Sequence, residues 1–203
     1  AKDDSFTAFA EKVANIALEN NETDVAAIAA LPYGEGQPVE EARVSLVQKI
    51  GENIQIRRVE VLEGANIAAY RHGLRIGVVV SYEGGSAETG KNLAMHIAAF
   101  NPVAVDDESV NADVLAREKD IIDAKARESG KPDNIVEKMI EGGLRKYLDE
   151  VTLLRQPCVM DNEKKVGDVL KSEGVKVVGF KRLEVGEGIE KKQEDFAAEV
   201  AAA

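Results

Sequence analysis

Apolar residues recur at helical spacing over 5–20 (SFTAFAEKVANIALEN), where Phe6, Phe9, Val13 and either Ile16 or Leu18 share one side behind Ser5, the expected N-cap. A turn-rich connector, LPYGEGQP (31–38), leads to a second amphipathic helix at 39–50 with Val44, Leu46, Val47 and Ile50 as its apolar positions. The pattern then changes. NIQIRRVEVLEG (53–64) reads as a strand rich in β-branched residues, its phase shifting at Arg57-Arg58 as a bulge would require. ANIAAYR and LRIGVVVSY flank His72-Gly73 and predict a hairpin, with Leu74, Ile76, Val78, Val80 and Tyr82 alternating onto one face. A helix over 87–99 ends near Phe100-Asn101-Pro102, where proline forbids continuation.

From 109 to 150 charge dominates, and two helices are predicted on either side of Ser129-Gly130-Lys131-Pro132. Ile135, Met139, Ile140, Leu144, Tyr147, Leu148 and Val151 form one narrow apolar stripe on the second, the mark of an antiparallel helical hairpin that projects from the body. Two stretches repeat: IRRVEVLEG (56–64) and FKRLEVGEG (180–188), each after a helical segment, VSLVQKIG (44–51) and VGDVLKSEG (166–174). The expected fold is therefore α+β, with two related subdomains built on small antiparallel sheets. They span 1–104 and 154–190, with the helical hairpin (105–153) inserted between them and a C-terminal helix at 191–203.

Composition narrows the function. The net charge of −11, from 26 basic and 37 acidic residues with no Lys/Arg cluster, argues against direct nucleic-acid binding. The sequence shows neither an apolar run of membrane-spanning length nor a signal peptide, and Cys158, the single cysteine, suits a reducing cytoplasm. It opens at AKDDSF without methionine, as a fragment or a processed product would. The stretch GGSAETGKN (84–92) comes one residue short of a phosphate-binding loop: Gly85 and Gly90-Lys91 fit, but Asn92 replaces the Mg²⁺-binding hydroxyl residue. Glu88 would add a charge repulsion of ~1–4 kcal/mol against polyphosphate. A glycine turn opening a helix is the better reading. His72 and His96 are too few for a metal cluster, and Cys158 has no local nucleophile signature, so no catalytic residue, metal or cofactor is expected. By default His72 is a turn residue, QKIGEN (48–53) a helix end and QPCVMD (156–161) a loop, although Val159-Met160 is unusually apolar for one.

AKDDSFTAFAEKV, KIGENIQIRRVEVLEG, YRHGLRIGVVV, AMHIAAFNP, SGKPDNIVEKMIEGGLRKYLDEVTLLRQPCVMD and GFKRLEVGEGIEK resemble bacterial elongation factor Ts, in the same order and along the whole chain, least so over 20–40. The resemblance implies a guanine nucleotide exchange factor for elongation factor Tu. Ile50, Gly51 and His72 would touch the GTPase domain, Val159 and Met160 its third domain, and a helix around Phe196 would dock as a C-terminal module. Ile135, Met139, Leu144 and Tyr147 would belong to a dimerisation or coiled-coil hairpin. It also implies an N-terminal domain, and a Thr-Asp-Phe-Val motif that acts on the partner's Mg²⁺, upstream of Ala1; without them binding would survive and exchange weaken. Cys158 stands where relatives often carry phenylalanine, and Gly143 where arginine is common. The alternative is an interaction module that binds the GTPase, or itself, without driving exchange.

Overall fold

The computed structural model describes residues 3–188; Phe196 and the helix expected at 191–203 lie outside the described residues. The chain opens with α1 (Asp4–Glu19), whose N-cap is Asp3 rather than Ser5: its Oδ1 accepts the Ser5 and Phe6 amides at 2.8 and 3.3 Å. A carboxylate at this end also complements the helix dipole. Phe9, Val13 and Ile16 are buried and Leu18 is 63% exposed, which settles the stripe on Ile16. A short helix follows, α2 (Val25–Ala30), capped by Asp24 and burying Ile28. At six residues it is too short to display a period in the sequence. β1 (Pro32–Gly34) and β2 (Gln37–Pro38) form a minimal hairpin before α3 (Val39–Ile50). Val39, Ala42 and Leu46 are the buried side of α3, while Val44, expected inside, is 40% exposed. These three helices and Ile54 enclose one hydrophobic cluster.

The second cluster lies on a sheet of order β3-β4-β7, made by β3 (Asn66–His72), β4 (Ile76–Glu83) and β7 (Lys176–Glu184), all antiparallel. As the alternation predicted, Val78, Val80 and Tyr82 are buried, whereas Leu74, in the connecting loop, is 48% exposed. Leu93, Ala94 and Ile97 of α4 (Ala87–Phe100) pack on this face. The helical hairpin is α5 (Ala112–Glu128) and α6 (Asp133–Val151). Its two ends return to one point, where Val103 N–H donates to Val151 O (2.9 Å) and Leu153 N–H to Ala104 O (2.9 Å). A 3-10 turn (Leu153–Arg155) then leads to β5 (Pro157–Cys158), β6 (Asp161–Lys165) and α7 (Val166–Ser172), whose Val166 and Leu170 complete the cluster around the fully buried Leu153.

The α+β class with small antiparallel sheets holds. The strand expected at 53–64 does not form: the segment has no ladder bonds and is held by side chains. Arg58 pairs with Glu187 at 2.8 Å, Glu60 with Lys181 at 2.8 Å, and Arg57 donates to the Glu187 carbonyl. Both edges of β4, the most buried strand, are already occupied, so the matching stretches 56–64 and 180–188 take different structures. In the hairpin, Gly143 has a steric reason: a Cβ there would stand 2.7 Å from Ile122 Cγ2, so glycine lets α5 and α6 approach. Among the described residues no helix is long and apolar enough to cross a membrane.

Candidate functional site

Ile50 is the last residue of α3 and half-buried, and Gly51 caps the helix at φ 78° with its N–H on Val47 O at 2.8 Å. That left-handed stop exposes the helix end, and a side chain at Gly51 would meet no atom but would strain the backbone. Ile50, Glu52, Asn53 and Phe6 line a groove of about 980 Å³ whose far wall is Glu184, the last residue of β7, with Val185 and Gly186 of the turn after it. The same strand end meets the β3–β4 loop: Val185 N–H donates to Arg75 O (2.8 Å), and Ile76 pairs with Glu184. His72 sits at this loop, exposed, with its Nδ1 3.2 Å from the Tyr70 hydroxyl. Ile50-Gly51 and His72 therefore lie on either side of one strand end. The Arg58 guanidinium holds the Glu187 carboxyl below its usual value and pins the turn beyond that strand end.

Val159 and Met160 are the whole of the tight turn between β5 and β6, 37% and 61% exposed. This tip shares no lining residue with the groove and forms a second surface. Beneath it lies a network that sequence reasoning missed. His96, 2% exposed, is 3.2 Å from the Val159 amide through Nδ1 and 3.0 Å from Gln156 Oε1 through Nε2. An amide can only donate, so Nδ1 accepts; the proton sits on Nε2 and goes to the glutamine oxygen. Gln156 Nε2, itself buried, donates to Glu150 O at 2.7 Å and Phe100 O at 3.4 Å. The only hint in the sequence was a histidine on the apolar side of the 87–99 helix.

Burial pushes the His96 pKa below its usual value despite the Gln156 bond. The folded state thus favours the neutral ring, and its contribution to stability is complete above the unfolded pKa of ~6.5. It is lost as pH falls from there through the depressed native pKa, because the unfolded chain takes up the proton first. Urea midpoints should decline more steeply between pH 7 and pH 5 in the native protein than in His96→Asn; parallel declines would refute this.

The glycines before and within the first turn of α4 serve packing. A Cβ at Gly85 would stand 2.3 Å from Val175, and one at Gly90 would stand 2.5 Å from the Tyr82 ring, while Lys91 points to solvent. Gly90→Ala should cost ~1–3 kcal/mol by displacing the buried Tyr82, as urea unfolding would measure. The hairpin's stripe centres on Val136, buried at 4%, rather than on its neighbour Ile135, which is 41% exposed. Met139, Leu144 and Tyr147 are half-buried beside it.

A family model described as elongation factor TS matches residues 1–187, nearly all of the described structure. The chain belongs to the elongation factor Ts family. The elongation factor Ts of Psychrobacter cryohalolentis is 91% identical over 202 residues, covering 100% of this chain and 69% of that one. The elongation factor Ts proteins of Psychrobacter sp. (strain PRwf-1) and Acinetobacter baumannii are 78% and 63% identical, each covering 100% of this chain and 70% of their own. As a member of the elongation factor Ts family the chain is a translation elongation factor by descent. The Phe196 assignment lies outside the described residues.

Proposed function

We propose that the chain is a guanine nucleotide exchange factor for elongation factor Tu, acting in the cytoplasm without a cofactor or a chemical step of its own. The observation that carries this reading is the Val159-Met160 tip: two exposed apolar side chains on a turn whose backbone is anchored by a buried hydrogen-bond network. Isolated exposed apolar residues are ordinary, but a rigidly anchored pair has the character of a docking anchor. Ile50, Gly51 and His72 supply the other contact, on the GTPase domain. The exposed Ile121 and Ile135 favour self-association as a further role of the hairpin.

Exchange then follows from linkage. A factor that prefers the empty GTPase weakens GDP binding by the same ratio by which GDP weakens the factor's own binding. It need not touch the nucleotide. Two contacts on separate domains of the partner can select the relative placement that the empty form adopts, because packed elements switch between discrete arrangements. The GTPase owns the phosphate loop, and the glycines at 84–90 need none. The test is the release of fluorescent GDP from elongation factor Tu: the chain should accelerate it in proportion to complex formed. Complex formation with an unchanged release rate would instead identify a non-exchanging interaction module.

A further inference from the structure

We propose that His96 is a positioning residue for partner docking: by accepting the Val159 N–H it fixes the shape of the turn that presents Val159 and Met160. This rests on the exchange-factor reading, in which the tip is a contact.

The turn's own sequence does not dictate its shape. Two-residue hairpin loops favour turns with positive φ, served by Asn-Gly or Asp-Gly. Val159 and Met160 are neither, and neither has positive φ. The register is irregular beside them, shifting between Pro157 and Cys158. Packing beneath the turn is also incomplete: a cavity of about 90 Å³ lies among Leu93, His96, Cys158, Met160, Val166 and Leu170. A side chain that can lean into free space is not oriented by contact alone. Among the described residues, the bond to His96 is the one side-chain hydrogen bond made to the turn's backbone.

His96 is in turn immobilised. Its ring stacks on Phe100 with centroids 4.6 Å apart and planes 6° from parallel, and its Nε2–H is taken by Gln156, which is bonded to the ends of α4 and α6. The turn is thereby referenced to α4, which packs on the sheet, and to the end of α6 at the base of the helical hairpin. A merely structural histidine would need none of this directionality; an apolar ring would fill the space.

Two variants separate the roles. Asparagine places an oxygen near the position of Nδ1, whereas glutamine reaches toward that of Nε2. With the full chain and elongation factor Tu, His96→Gln should raise the concentration needed for half-maximal GDP release about tenfold, the weight of one hydrogen bond, with the maximal rate unchanged. His96→Asn should restore most of the loss. Hydrogen exchange at the Val159 amide should rise in His96→Gln and stay slow in His96→Asn. Combined with Met160→Ala, His96→Gln should cost less than it does alone, because the side chain it orients is gone. Native-like binding by His96→Gln, no advantage of asparagine over glutamine, or full additivity with Met160→Ala would each overturn the proposal. Failure of the native chain itself to bind would overturn the exchange-factor reading and this inference together, so the two failures are distinguishable.

Discussion

Replacing Val159 and Met160 together by aspartate should weaken complex formation with elongation factor Tu at least ~100-fold, while the urea midpoint stays where it was. Truncating interface anchors costs ~2–4 kcal/mol, and a carboxylate forced into an apolar contact adds the expense of desolvating it. Folding is indifferent, because the two side chains are 37% and 61% exposed and surface changes stay within ~0.5 kcal/mol. Calorimetric titration with the partner, beside denaturation of the free chain, measures both halves. Affinity that survives the double substitution would remove this tip from the interface.

Leu153→Ala should be the most damaging single truncation, at ~3–5 kcal/mol. Leu153 is 0% exposed in the cluster shared by the sheet, α4 and α7, and its amide is bonded to Ala104 where both ends of the helical hairpin return. A domain's whole stability is ~5–15 kcal/mol, so this is a large share of it. Leu18→Ala is the internal control: at 63% exposed it should change the midpoint hardly at all. A loss below ~1 kcal/mol at Leu153 would contradict the core described above.

Elements with a long, strict period are legible in the sequence. The β3–β4 hairpin, α4 and the α5–α6 pair follow directly from Val78, Val80 and Tyr82, from Leu93 and Ile97, and from Met139, Leu144 and Tyr147. Elsewhere local preference was overridden by tertiary context. The run at 53–64 has the composition of a strand, but its Arg58 and Glu60 bond to β7 and the turn after it through side chains, with no ladder. α2 is too short to leave a periodic trace. The site divided in the same way. Val159-Met160 betrayed itself as an apolar pair in a loop, and His72 as a histidine beside a glycine turn. His96 showed only as a histidine on an apolar helix face and Gln156 not at all, since their meaning lies in partners 60 residues apart in sequence. Cavities are equally hidden: the space of about 90 Å³ beside Cys158 exists only once α4, α7 and the turn surround it.

On the proposed function, the chain loosens GDP without touching it, by preferring the vacant GTPase. Its affinity for nucleotide-free elongation factor Tu should therefore exceed that for the GDP-bound form, and the ratio should equal the factor by which the chain weakens GDP binding. Titrating both forms of the partner in one buffer supplies that ratio. A large ratio that closes the thermodynamic cycle is the predicted result; equal affinity for the two forms would contradict it.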